Sequence, residues 1–143
     1  MIKRFLFITA SLLMFAAPSA FSAELVVISS HETSEKISSK LLRKIYLKRK
    51  ILWQDKTRIV PVNLPARSSL RAFFTKETLH MDHKDLVLYW NEQHYKGVRP
   101  PVVVESEEAV KAFVREVKGA LGYINADSLE PDLKVLYRIR EGE

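Results

Sequence analysis

Apolar and polar positions switch between two periods along the chain, and the switches predict its elements. Leu25–Ser29 is a short, β-branched apolar run and reads as a buried strand. The polar stretch Ser30–Lys36 is a loop. Leu41, Leu42, Ile45 and Tyr46 then recur at helical spacing. Ser38 or Ser39 caps that helix, because a side-chain oxygen there accepts a first-turn N–H. Ile59–Val62 is a second strand, and Pro61 within it points to a sheet edge or a strand end. Pro65 predicts a turn, and Ser68 or Ser69 caps a second helix carrying Leu70, Phe73 and Phe74. Asp82 with Asp85 marks the start of a third helix, Lys84–Lys96, whose face is Leu86, Tyr89, Trp90 and Gln93. Gly97 suits the left-handed residue that ends it. After Pro100-Pro101, Val102–Val104 is a third strand. Ser106 caps a fourth helix, with Glu107 and Glu108 near its positive end. Val110, Phe113, Val114 and Val117 form its stripe, and Gly119 stops it. Leu121–Ile124 and Leu133–Ile139 complete the pattern as strands. Strands alternating with helices predict an α/β domain with a mainly parallel sheet flanked by helices.

Residues 1–23 fall outside this alternation. Lys3 and Arg4 precede an apolar run from Phe5 to Ala17, and small residues follow at Pro18, Ser19, Ala20, Ser22 and Ala23. That is the layout of a secretory signal, too short in its apolar part to span a bilayer. Cleavage is expected after Ser22 or Ala23, leaving one domain over residues 24–143 with no membrane span. Without Lys3 and Arg4, 21 basic and 17 acidic residues remain, a formal net charge of +4. In an exported protein this balance points to anionic ligands, envelope polymers or membrane surface rather than nucleic acid. The absence of cysteine excludes disulfides, thiolate metal sites and cysteine nucleophiles.

The loop Arg67–Arg71 is where the sequence suggests ligand chemistry. A helix start presents unsatisfied N–H groups and the positive end of the dipole. Hydroxyls of Ser68 and Ser69 and the guanidinium groups of Arg67 and Arg71 would add bonds to a phosphate or another small oxyanion. The alternative is that the serines only cap and the arginines are solvated. Lys40, Arg43, Lys44, Lys48, Arg49 and Lys50 surround the first helix, as a solvated face or as a basic contact surface. Trp53, after Ile51 and Leu52, is expected in the core. His31, His80, His83 and His94 have no spacing that assembles a metal site and are expected on the surface. No Gly-rich phosphate loop and no nucleophile–base arrangement is present, so neither a cofactor nor catalysis is expected.

Five segments carry a resemblance: LLRKIYLKRKILW (41–53), RIVPVNLP (58–65), SSLRAFF (68–74), YWNEQHYKG (89–97) and GALGYI (119–124). In this order they resemble the phosphate-type solute-binding proteins of ABC transporters, which have the type 2 periplasmic-binding fold, and most of all their short single-lobe members. The resemblance spans residues 24–139. It implies a doubly wound α/β lobe in the periplasm that binds an oxyanion at helix starts, without catalysis, in connection with phosphate uptake. The family's Gly-Ser-Gly-Thr loop falls on Arg67, Ser68, Ser69 and Leu70, where only Ser68 is kept. Its phosphate-clamping arginine falls on Leu64, and the glycine of its Gly-x-x-x-x-Trp segment falls on Lys48. The chain corresponds mainly to the second half of a full binding protein, so the opposite wall of the cleft has no counterpart. A second copy closing the site is one expectation that follows. A lobe that has lost solute binding and contacts an envelope transporter or sensor protein is the other.

Overall fold

The computed structural model describes residues 23–142. The expected signal segment therefore lies outside the described residues, apart from Ala23. Five strands form one sheet: β1 (Glu24–Ser29), β2 (Val60–Asn63), β3 (Val102–Val103), β4 (Ala120–Asn125) and β5 (Lys134–Arg140). Their spatial order is β3-β2-β4-β1-β5. β2 is parallel to both β3 and β4, whereas β1 is antiparallel to β4 and β5. Four strands therefore run one way and β1 alone is reversed. The α/β class with flanking helices holds, but the sheet is mixed rather than mainly parallel: β3-β2-β4 pair parallel, whereas both pairings of β1 are antiparallel. The helices are α1 (Ser39–Tyr46), α2 (Ser69–Phe74), α3 (His83–Tyr95) and α4 (Glu107–Glu116). A π-helical turn, Thr75–Leu79, continues α2, and a 3-10 turn, Ala126–Ser128, follows β4. Neither turn is visible in the hydrophobic pattern. No helix among the described residues is long and apolar enough to cross a membrane.

The caps follow the sequence. Ser38, Ser68, Asp82 and Ser106 each accept a first-turn N–H of the helix they precede. Gly97 and Gly119 both adopt the positive φ that their places after helices require. Of the two expectations for Pro61, the sheet edge does not hold, since β2 is an inner strand, whereas the strand end does, since Pro61 is the second residue of β2. The N–H of Val60 points towards β4, bonding Gly119 O at 3.1 Å. Backbone direction alternates along a strand, so the Pro61 nitrogen faces the other side. There β3 begins pairing only at Val62, and the missing donor costs no ladder bond.

The core lies on both faces of the sheet. Leu25, Val26, Val27, Ile28, Leu121 and Ile124 are buried completely, so β1 and β4 read as continuous apolar runs. Val110 and Val114 bring α4 onto β4, close enough that a Cβ on Gly122 would sit 2.4 Å from Val110 Cγ1. Trp53 is 2% exposed, and its Nε1 donates to Gly119 O at 3.1 Å, joining the loop after α1 to the start of β4. His31 departs from expectation. It is buried, because it lies two residues past the end of β1 and stacks on Trp53 with centroids 5.4 Å apart. Its Nε2 lies 3.4 Å from Asp55 Oδ2.

An ion cluster fastens α4 to the segment before β5. Lys111 pairs with Glu108 and Glu130, and Arg115 pairs with Glu130 and Asp132. Hydrogen bonds from Lys111 and then Arg115 hold the Glu130 carboxyl below its usual range, and Arg115 does the same for Asp132. A carboxyl depressed in the folded state stabilises fully above its unfolded value, about pH 4. That contribution is lost as pH falls through the depressed values. Stability measured by urea denaturation should therefore decline below about pH 4, and less steeply in Glu130→Gln. An unchanged acid slope in that variant would remove the cluster from the account.

Candidate functional site

Because β2, β3 and β4 are parallel, the segments leaving their carboxyl ends gather on one edge of the sheet. These segments are residues 64–68, 104–106 and 125–128. Open α/β sheets bind ligands in the crevice at such an edge. Two contacts stitch the segments together. Arg67 Nη2 donates to Glu105 Oε2 at 2.7 Å, and the Asn125 N–H donates to the Glu107 carboxylate.

Beneath the loop sits a buried polar chain that the sequence did not single out. Tyr123 Oη donates to Asn63 Oδ1 at 2.7 Å and accepts the Leu64 N–H at 3.3 Å. The Leu64 carbonyl in turn accepts from Arg71 Nη1 at 2.8 Å. Burial pushes the Tyr123 phenol above its ordinary range, against the opposing pull of the Leu64 amide and the Arg71 charge. The phenol therefore stays protonated and acts as a fixed strut. An aromatic stack holds it in place, with Phe74 at 4.1 Å and nearly parallel, and Tyr46 touching both rings. Tyr46 also donates to Val62 O at 3.0 Å. The only sequence signal for Asn63 and Tyr123 was a polar group inside an apolar strand.

The predicted residues meet around this support. Ser68 is half-buried, and its Oγ accepts the Arg71 N–H at 3.2 Å. The hydroxyl proton of Ser68 stays available to an acceptor, since a hydroxyl both donates and accepts. Ser69 is exposed as the first residue of α2. Arg67 is exposed and paired with Glu105, so an anion there competes with a carboxylate. Arg71 is half-buried with one N–H committed to Leu64 O, and it forms no ion pair among the described residues. Leu64, which takes the position of the family's clamping arginine, turns its side chain into the core. Its carbonyl instead orients Arg71. Lys48, at the position of the family's glycine, has φ +58°, a left-handed conformation that glycine adopts freely.

Acidic residues separate the helices at this edge. The first turn of α4 carries Glu107 and Glu108, whereas that of α2 carries none. His80, His83 and His94 are exposed, in accord with expectation. The described residues contain no group of three or more His, Asp or Glu suited to a metal ion.

Beside Arg71 lies a groove of about 760 Å³ between α2 with its π turn and α3. The positive φ of His80 redirects the chain between them. Across the groove, α3 is tied back through Tyr89 Oη to Leu47 O at 2.6 Å, with Arg49 over the Tyr89 ring.

No protein-family model and no curated protein matches the sequence. Solved structures do match the fold. A substrate-binding protein assigned to phosphate ABC transport from Clostridium perfringens, solved with bound phosphate, superposes with a TM-score of 0.63 at 16% identity. It is covered over 45% of its length and this chain over 80%. An ABC-type phosphate transport receptor from Vibrio cholerae gives 0.62 at 17% identity, covering 80% of this chain and 46% of that one. PstS from Borrelia burgdorferi gives 0.60 at 19%, covering 80% and 47%. The chain thus spans about half the length of the structures it resembles. Its five-stranded sheet and flanking helices have the fold of one lobe of the phosphate-type periplasmic-binding proteins.

Proposed function

We propose that this lobe is an exported, non-enzymatic solute-binding-like protein that holds phosphate or another small oxyanion at Ser68, Ser69 and Arg71, with Arg67 at the rim. The observation that supports this most is the placing of Arg71. It is a half-buried cation, oriented by the Leu64 carbonyl, beside a helix start without acidic residues, at the ligand edge of the sheet. One wall supplies few donors, and removing a phosphate from water is costly. The affinity is therefore modest and salt-sensitive, and a second copy or a transport component facing the loop would raise it.

The test is calorimetric titration with phosphate at low and moderate salt. Binding is expected in the micromolar range, weakening as salt rises. Ser68→Ala should lower affinity severalfold, and Arg71→Ala tenfold or more, about 1.4 kcal/mol. Heat equal to dilution from a folded protein would overturn the reading.

A second reading is a contact module for an envelope transporter or sensor, favoured by exposed apolar residues outside the loop. Val102 and Val103 on edge strand β3, and Leu88 and Tyr95 on α3, face solvent. The basic face carrying Lys40, Lys44 and Arg49 would widen such a surface.

A further inference from the structure

The groove beside Arg71 has the size of a small-molecule site, typically about 300–1,000 Å³. Its lining is mixed in a particular way. Ala66 and Ala72 contribute little bulk on the α2 side, while Met81, Leu86, Val87 and Trp90 provide an apolar and aromatic surface. The charged groups are Arg71, Lys76 and Asp82, with His80 and His83 also present. Asp82 already accepts the Asp85 N–H as the cap of α3. Lys76 is exposed and lies 3.6 Å from Glu77. Arg71 is thus the oriented charge of the groove, and it forms no ion pair among the described residues. Inorganic phosphate at Arg71 would leave the apolar lining uncovered. Leu86 is the only buried residue of α3, and Val87 remains 44% exposed, so this helix face has apolar surface to offer.

We infer that the groove takes an amphipathic organic anion, with its acidic group on Arg71 and an aromatic or aliphatic body along Ala72, Leu86 and Trp90. The inference rests on the reading of Arg71 as an anion ligand and extends it from a bare oxyanion to an organic phosphate monoester or organosulfonate. The apolar body supplies affinity that one cation on an open wall does not. Burying apolar surface is favourable in proportion to its area.

Three probes separate the parts: 2-naphthyl phosphate, inorganic phosphate and 2-naphthol, titrated calorimetrically into the full chain at one salt concentration. Naphthyl phosphate should bind at least tenfold tighter than either fragment. Arg71→Gln should reduce it to the level of naphthol. Ala72→Trp, which fills the groove without removing a core residue, should reduce it to the level of inorganic phosphate. Trp90→Ala should act in the same direction, with folding checked by circular dichroism. Equal binding of naphthyl and inorganic phosphate would overturn the groove while leaving the anion loop intact. Naphthol binding as tightly as its phosphate would overturn the role of charge. Naphthyl phosphate binding that Ser68→Ala leaves unaltered, with no binding of inorganic phosphate, would support the groove and sink the loop.

Discussion

Gly119→Ala should be among the most damaging single-atom-scale changes in this protein, destabilising it by about 2–5 kcal/mol. Two costs combine. Residue 119 has φ +79°, which an L-residue with a Cβ adopts at a cost of about 1–2 kcal/mol. A Cβ there would also lie 2.2 Å from Arg58 O and 2.9 Å from Thr57 Cγ2. The first of these is backbone and cannot swing aside, so the strand start must shift. That shift strains the Gly119 carbonyl, which accepts from both Trp53 Nε1 and the Val60 N–H. Gly97→Ala provides the internal comparison. Its φ is +75°, but nothing lies within 4 Å of the added carbon. It should cost only the conformational part, about 1–2 kcal/mol. Urea midpoints of the two variants measure the difference. Equal losses would show that the close approach of residues 57–58 to 119 is wrong.

Phe74→Ala is expected to cost about 3–5 kcal/mol, the range for emptying a buried aromatic site. Phe74 is fully buried between Tyr46 and Tyr123 and is the residue by which α2 grips the sheet. Its loss removes the stack that holds Tyr123 against Asn63 and Leu64. The Leu64 carbonyl then no longer fixes Arg71, so anion affinity should fall even though no ligand-facing atom has changed. Phe74→Leu keeps most of the volume and should recover most of the stability. A loss below about 1 kcal/mol in Phe74→Ala would mean that the core does not run through this ring.

The elements were legible because their signals are local. Each helix carries a Ser or Asp cap immediately before it, and glycines mark where two of them end. The apolar runs of β1 and β4 are those of strands covered on both faces. Pairing was less legible, since periodicity does not record direction. The reversal of β1 and the inner place of β2, with Pro61 in it, depend on contacts far apart in sequence. His31 was misread because its burial comes from Trp53, 22 positions away. At the site, Ser68 as a cap and Arg71 as a nearby cation could be read from spacing. The commitment of Arg67 to Glu105, and the strut from Tyr123 through Leu64 to Arg71, could not. The groove was hidden for another reason. It arises where a π turn and the left-handed His80 separate two helices, and neither leaves a hydrophobic period.

If the Ser68–Arg71 loop holds an anion, its first-turn N–H groups must respond to one. Amide chemical-shift mapping during a phosphate titration tests it most directly. Saturable shifts are expected, confined to the N–H groups of Ser69, Leu70 and Arg71 and to the Arg71 side chain, reduced by added salt and absent in Arg71→Ala. Shifts spread over Lys40, Lys44 and Arg49, or none at all, would contradict it.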